Sequence, residues 1–295
     1  MMTTPFQPGI LEEIPAAGCF LFADLLDVQQ WDKLRSALEQ LIDGHGIVLG
    51  VGSKLLKALG KAPEGMQEFP DFQHPAAKRR DYDLWFWLRA EDPGALHHLL
   101  RMLLNATEEF ITVKVQYQAF RYQDGRDLSG YLDGTENPTG ADAEAAAFVT
   151  SSDQTQNGAS LVTVQPWVHE LDYFKSLPQN EQDDTFGRRL ADNEEFEDSP
   201  ASAHVKRTAQ ESFDPESFML RRSMPWTDHC NEAGLVFVSF VDDFAKFNRM
   251  FERMLGLDDG IEDGLFSFSM PLFGINFWCP PVTENGRINL QFLRD

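Results

Sequence analysis

Cysteine is scarce in this chain of 295 residues. Only Cys19, Cys230 and Cys279 occur, and no two of them form a CxxC pair. An odd, low cysteine count argues against a disulfide-stapled scaffold and suits a reducing compartment. Without a CxxC pair, zinc and iron–sulfur sites have no support. We therefore expect a cytoplasmic protein whose fold depends on a hydrophobic core.

Positive charge and long apolar runs are also lacking. The chain has 25 Lys and Arg but 47 Asp and Glu, so its formal net charge is −22. Such a chain repels the phosphates of nucleic acids and of anionic membranes. No apolar run approaches the ~20 residues that cross a bilayer. We expect neither nucleic acid nor membrane as a partner; the acidity serves solubility or attracts cationic substrates or Mn(II).

Hydrophobic residues, in contrast, make up 42% of the chain and include 24 Phe and 6 Trp, enough for a sizeable core. Their alternating or continuous apolar patterns predict strands. The predicted strands are residues 17–26, 46–51, 84–90, 111–122, 159–168, 235–241 and 274–279.

Apolar residues at helical spacing between these strands predict helices that begin at polar caps. Asp92-Pro93 combines an N-cap with a first-turn proline, and Asp242-Asp243 opens a second helix of the same kind. The strand–helix–strand block at 84–122 thus has a counterpart at 235–279. This internal repetition indicates an α+β fold with helices packed on antiparallel sheets.

The repetition divides the chain into two tandem domains, residues 1–140 and 141–295. The segment 178–200 interrupts the second domain; it is acidic and poor in apolar residues. That composition predicts a solvated loop. An alternative is a lip over the binding site that touches substrates.

The stretch Gly130-Tyr-Leu-Asp-Gly-Thr-Glu-Asn-Pro138 is too polar and too rich in turn residues to belong to the core. Gly130 and Gly134 permit unusual backbone angles and close approach by a ligand, and Asn137-Pro138 marks a turn. The carboxylate of Asp133 lies between these residues. An Asp-Gly pair is usually an ordinary surface turn, so the motif by itself leaves a turn and a ligand site open.

Seven histidines occur, and each alone is more typical of a surface or core residue than of a ligand. His204 differs in context, because Ser199-Pro200 resembles a helix start and would place His204 on the second turn of a short helix. Further on, Arg221 and Arg222 form a pair typical of a solvated surface. If this segment is extended, Arg221 and Ser223 share one side and Arg222 points away.

Three of these segments together resemble the dye-decolourising peroxidase family, and in particular its B-type branch. GxxDGTENP at 130–138 is similar to the family signature, AHVKRT at 203–208 to the segment around the proximal haem ligand, and MLRRSMP at 219–225 to the segment with the distal arginine. The resemblance implies tandem ferredoxin-like domains, the dimeric α/β barrel of this family. It also implies one haem b per chain in the C-terminal domain.

The resemblance assigns roles to individual residues. His204 would be the axial ligand of the haem iron, and Asp263 would accept its second ring N–H, although an acidic loop also has an ordinary capping explanation. Asp133 would move the peroxide proton, Arg221 would stabilise charge on the departing oxygen, and Ser223 would hold the peroxide in line. Cofactor contacts would come from His204, Gly134, Thr135 and Arg221.

The predicted function is that of a haem-dependent peroxidase. It reduces hydrogen peroxide and oxidises dyes, phenols or similar one-electron donors, as a homo-oligomer of two or more chains. Two alternatives remain open: a haem-handling protein for iron removal or haem carriage with weak peroxidase activity, and a haem-free ferredoxin-like interaction protein. An absorbance spectrum and a peroxide titration distinguish the three.

Overall fold

Eight strands close into a barrel in the computed structural model, which describes residues 5–294. The strands of this part of the chain are β1 (Ala17–Leu25), β2 (Ile47–Gly52), β3 (Leu84–Ala90), β4 (Ile111–Phe120), β5 (Ser160–His169), β6 (Leu220–Arg221), β7 (Met224–Thr227), β8 (Ala233–Val241), β9 (Ser269–Pro271) and β10 (Ile275–Cys279). The helices are α1 (Trp31–Leu41), α2 (Ser53–Ala58), α3 (Pro93–Thr107), α4 (Gly140–Ala147), α5 (Leu171–Ser176), α6 (Gln179–Phe186), α7 (His204–Thr208) and α8 (Phe244–Met254).

The ring of antiparallel strands runs β4-β1-β3-β2-β10-β5-β8-β7 and closes where β7 pairs with β4. The first half of the chain contributes the first four strands and the second half the other four. Each half has its strands in the order fourth, first, third, second, as expected for a ferredoxin-like β-α-β-β-α-β unit. The predicted α+β fold of tandem ferredoxin-like halves is confirmed. The domain division at residue 140 stays a proposal, because the sheet runs unbroken through both halves.

Successive side chains of each strand point to opposite faces. Alternate residues of β4 are exposed, whereas β1, β2, β3, β5 and β10 are buried on both faces over most of their length. Phe20 of β1 stacks on Trp85 and Trp87 of β3 inside the barrel, with ring centroids 6.2 and 5.9 Å apart. The alternate residues pack against the helices outside, as Leu21 and Phe86 do. Burying each such side chain contributes roughly 1.5–3 kcal/mol. These strands therefore appear in the sequence as continuous apolar runs.

Aspartates begin α3 and α8, two of the helices that cover the barrel. Asp92 accepts hydrogen bonds from the backbone N–H groups of Gly94 and Ala95 at the start of α3. Asp243 accepts one from Ala245 at the start of α8. Both N-caps were predicted. No helix within residues 5–294 is long and apolar enough to cross a membrane.

Two local predictions were wrong. The segment 178–200 was predicted to be a loop, yet it contains α6, whose Phe186 stacks on Tyr131 with ring centroids 4.0 Å apart. The helix α7 begins at His204, one turn later than predicted, because Pro200 lies in a separate turn that Ala203 closes. Both errors have one cause: these helices are short and bury few apolar residues, so they leave no helical periodicity.

Candidate active site

A cavity lies between the outer face of β5 and β8 and the helices α7 and α8. It holds about 850 Å³ of space not filled by atoms, part of it open to solvent. Ligand sites typically measure ~300–1,000 Å³. Its apolar wall consists of Leu235, Phe237, Phe247, Met250, Phe251, Met254, Leu265 and Phe268. Such a wall suits a large, mainly apolar ligand.

His204, the first residue of α7, lines this cavity and is oriented by Asp263. Its Nδ1 lies 2.8 Å from Oδ2 of Asp263, whose side chain is fully buried. The other carboxylate oxygen accepts a hydrogen bond from the backbone N–H of Leu265 at 2.9 Å. Because the carboxylate accepts a hydrogen bond, the proton of the neutral imidazole lies on Nδ1, and this tautomer leaves the lone pair on Nε2. A neutral imidazole fixed in this way is a ready metal ligand.

Arg221 lines the same cavity from β6 and is buried, with a relative exposure of 9%. Its Nε has no hydrogen-bond partner among residues 5–294, and no carboxylate in that range forms an ion pair with it. A buried guanidinium without an acceptor is costly. An anionic group bound in the cavity would remove this cost.

Asp133 and Arg221 belong to segments that are tied together. The side-chain oxygen of Asn137 accepts a hydrogen bond from the backbone N–H of Arg221 at 2.7 Å, and the side-chain nitrogen donates to the carbonyl of Arg221 at 3.1 Å. Gly134 has a φ of +74°, and a Cβ there would lie 2.9 Å from the Asn137 side chain. Glycine is therefore required beside Asp133. Sequence reasoning treated Asn137 as a turn residue and missed this link.

Two further pockets adjoin the cavity at Asp133 and Arg221. The arginine pocket holds about 940 Å³ and is named here for Arg121, Arg126, Arg221 and Arg222 in its lining. The acidic pocket holds about 920 Å³ and is named for Asp133, Glu136, Glu195 and Glu211. All three spaces thus meet at one carboxylate and one guanidinium.

The structure brings His204, Asp133 and Arg221 together on the cavity, but not the other predicted site residues. Ser223 and Gly134 line the arginine pocket, and Gly134 and Thr135 line the acidic pocket. Arg222 was expected to point away from the site; it does not line the cavity, but it lines the arginine pocket together with Arg221 and Ser223. Strict alternation does not apply between these residues, because β6 ends at Arg221 and β7 begins at Met224.

A buried pair in the wall of the cavity was missed by sequence reasoning. Nε2 of His169 lies 3.0 Å from Oδ1 of Asp127, and Nδ1 lies 2.6 Å from Oγ of Ser269. Burial alone would raise the pKa of Asp127, but the charge and hydrogen bond of His169 and the hydrogen bonds of Ser129 outweigh it and hold that pKa below its ordinary value. Nothing in the local pattern pairs these residues, which lie 42 positions apart.

The Asp127→Asn variant is expected to be less stable than the parent by about 1–3 kcal/mol at neutral pH, since it leaves buried groups without a charged partner. A carboxyl with a lowered folded-state pKa stabilises the fold above its ordinary value of 3.8, and this contribution is lost as pH falls through the lowered pKa. In urea denaturation, the difference in the free energy of unfolding between the parent and Asp127→Asn should be constant from about pH 7 to pH 5 and should become smaller below about pH 4. Asp172→Asn, on the exposed face of α5, is the control. Equal stability of parent and variant at neutral pH would contradict the role of the pair.

Comparisons with known proteins point to one family. The family models described as Dyp-type peroxidase, N-terminal, and Dyp-type peroxidase, C-terminal, match residues 7–121 and 124–284. A dye-decolorizing peroxidase of Rhodococcus erythropolis is 31% identical over 80% of this chain and 72% of its own length. One of Mycolicibacterium paratuberculosis is 30% identical over 94% and 84%.

Solved structures agree with this result. A putative dyp-type peroxidase of Shewanella oneidensis superposes with a TM-score of 0.85 at 28% identity, covering 99% of this chain and 98% of its own. A variant of DypB from Rhodococcus jostii RHA1, in complex with heme, superposes with a TM-score of 0.82 at 27% identity, covering 94% and 96%. From its sequence and its fold alike, the chain belongs to the Dyp-type peroxidase family.

Proposed function

We propose that the cavity of this peroxidase holds one haem b, and that Nε2 of His204 would bind its iron. The observation that carries the proposal is the His204–Asp263 pair at 2.8 Å in a cavity that also contains Asp133 and Arg221. Hydrogen peroxide and small one-electron donors such as phenols and dyes are the substrates.

The residues present fit such a cofactor in three ways. The wall of the cavity is apolar, as the macrocycle requires. Nδ1 of His204 is held by a carboxylate, which leaves a basic nitrogen for the iron. Arg221 has a buried Nε without an acceptor among residues 5–294, which suits a negatively charged group. The related DypB variant from Rhodococcus jostii RHA1, which is in complex with heme, supports the same cofactor here.

When bound, the haem supplies the redox centre for peroxide reduction. The carboxylate of Asp133 takes the proton from one peroxide oxygen and returns it to the other, which leaves as water. The guanidinium of Arg221 stabilises negative charge on that departing oxygen. Ser223, whose buried Oγ has no partner among residues 5–294, donates a hydrogen bond to peroxide or water entering from the arginine pocket. Gly134 and Thr135, which line the acidic pocket, would contact the cofactor.

Absorbance and turnover test the function directly. The purified protein loaded with haem should show a Soret band and oxidise 2,6-dimethoxyphenol only when peroxide is added. A Soret band without peroxide turnover would favour the haem-handling alternative. A protein that takes up no haem would refute both. The B-type assignment, a cytoplasmic location and a homo-oligomeric state are proposals that rest on the sequence alone.

Asp263→Asn should weaken haem retention by about 10- to 100-fold, the usual effect of losing the carboxylate partner of a metal-binding histidine. The amide keeps the size of the side chain but removes the charge that holds the Nδ1 proton. The rate of haem transfer to apomyoglobin measures retention. The Asp172→Asn variant carries the same change on an exposed surface and should behave like the parent. Unchanged retention in Asp263→Asn would mean that Asp263 serves only as the cap of the turn at 264–267.

A further inference from the structure

The arginine pocket differs in charge from the rest of the molecule. Four arginines and three carboxylates line it, so its lining carries a net formal charge of +1, whereas the whole chain carries −22. The acidic pocket on the other side of Asp133 is lined by two arginines and four carboxylates. The two openings beside the cavity are thus opposite in sign.

The arginines of this pocket are incompletely neutralised. Arg222 donates to the backbone carbonyls of Ile10 at 3.0 Å and Leu11 at 2.9 Å, and no carboxylate within residues 5–294 pairs with it. Burial, and to a lesser degree the charge of Arg89, lowers the pKa of Arg222 to about 10, as expected for a cation that no anion compensates. Arg126 differs, because Asp124 accepts its Nε hydrogen at 2.9 Å.

Three other hydrogen-bond donors of the pocket have no partner among the described residues. Arg121 is exposed, and in the part of the chain that the structure describes its side chain has no hydrogen-bond or ion-pair partner. Nε of Arg221 and Oγ of Ser223 are buried without a partner in that same range, in residues that are 9% and 4% exposed. Buried hydrogen-bond donors of this kind indicate that ligands with acceptor oxygens complete the site. Arg221 and Ser223 act on peroxide in the proposed function, which leaves Arg121 to bind a second, anionic ligand.

On the basis of the proposed peroxidase function, we propose that the arginine pocket binds the reducing substrate through a carboxylate or sulfonate group, and that Arg121 sets this preference. The reaction is H₂O₂ + 2 ArOH → 2 H₂O + 2 ArO•. Each phenol loses one electron to the oxidised haem enzyme and one proton. Asp133 lines both the cavity and this pocket and accepts the phenolic proton.

The charge distribution favours such a substrate over a neutral one. A chain of charge −22 repels anions at long range, so a locally cationic pocket concentrates them at one place. The acidic pocket repels them from the neighbouring opening. A neutral phenol experiences neither effect. The carboxylate group of the substrate therefore decides which of the two pockets the electron-donating substrate enters.

Two matched electron-donating substrates, together with variants of Arg121 and of a control arginine, test this proposal. Syringate and 2,6-dimethoxyphenol share one phenol ring and differ by the carboxylate. In Arg121→Gln the ratio of KM for syringate to KM for 2,6-dimethoxyphenol should rise about 2- to 5-fold, as expected for an exposed charge pair. In Arg121→Glu it should rise by about tenfold or more. Arg101→Gln makes the same charge change on the exposed face of α3, away from the pocket, and should leave the ratio at the parent value.

Calorimetric titration of syringate into the haem-loaded enzyme without peroxide gives a readout that needs no turnover. Binding should weaken in both Arg121 variants and at high salt, which screens exposed charges. If KM ratio and binding are insensitive to the charge at position 121 while peroxide turnover is normal, this inference is wrong and the peroxidase function stands. If the parent turns over neither donor, the proposed function fails, and the calorimetric comparison alone decides whether the pocket binds carboxylates.

Discussion

Replacing His204 with alanine is expected to strip haem from the protein or leave it weakly held, with the barrel intact. Two histidines line the cavity, and only His204 has a ring nitrogen, Nε2, without a partner among residues 5–294. Nδ1 of His204 is bound to Asp263, and both ring nitrogens of His169 have partners. Removing His204 leaves a buried carboxylate oxygen of Asp263 unpaired, which costs about 1–3 kcal/mol of stability. This loss is small compared with the stabilisation that the buried core provides. The ratio of haem to protein from the Soret absorbance measures the loss, and circular dichroism checks the fold.

Two additional measurements make the His204 test specific. His98→Ala removes an exposed histidine from α3 and should leave haem content unchanged. Added imidazole should partly restore the Soret band of His204→Ala by supplying the missing nitrogen. Full haem content and an unaltered spectrum in His204→Ala would show that another residue is the ligand.

The second large effect that we expect is slower peroxide reduction in the Asp133→Asn and Arg221→Leu variants. Asp133→Asn keeps the shape and removes the base, which typically costs ~10²- to 10⁴-fold. Arg221→Leu removes one charge-stabilising donor, which costs on the order of 10²–10³. Haem should remain bound in both, because the His204–Asp263 pair is untouched. Stopped-flow absorbance at the Soret band with excess peroxide measures the rates.

The double variant makes this test sharper. Because Asp133 and Arg221 serve one transition state, the combined loss should be smaller than the product of the single losses. Asp172→Asn and Arg101→Leu are the matched controls on exposed helix faces. Single variants that react with peroxide at the parent rate would mean that the distal site has been misidentified, and the haem-handling alternative would then become the better hypothesis.

Seven of the eight barrel strands were predicted, and β7 (Met224–Thr227) was missed. β3 (Leu84–Ala90) was recognisable because it begins with five consecutive apolar residues that are buried on both faces, and the capping Asp92 follows it. The helix α6 was missed because Phe186 is its main apolar contact residue. It contacts the loop at 130–138 through the stacking of Phe186 on Tyr131 and through a hydrogen bond from the Tyr131 hydroxyl to Asp183. Hydrogen bonds of this kind depend on tertiary position and leave no periodicity in the sequence.

The candidate site was predictable to the extent that its residues lie in local motifs. Asp133 stands in a recognisable loop, and the resemblance singled out His204 and Arg221. The partners that fix them lie far along the chain: Asp263 is 59 residues from His204, and Asn137 is 84 residues from Arg221. Such separations are set by the closing of the barrel, which no local pattern encodes.

The closing of the barrel has a mechanical consequence. The two halves are joined at short seams: β4 and β7 pair Ala119 with Trp226, and β10 and β2 pair Phe277 with Gly52 and Trp278 with Val51. Within the second half, by contrast, β5 and β8 pair along eight residues. Interior rings bridge the halves, as Trp85 does with Phe240 and Phe277 at 6.3 and 6.0 Å.

The packing of aromatic rings in the interior therefore holds the two halves together more than the few hydrogen bonds between β4 and β7 and between β2 and β10. Separating the two halves would expose these rings to water, and that exposure opposes the separation. The loop at 130–138, which carries Asp133, leaves the first half and reaches Arg221 in the second. The distance between Asp133 and Arg221 therefore depends on how the two halves of the barrel pack together.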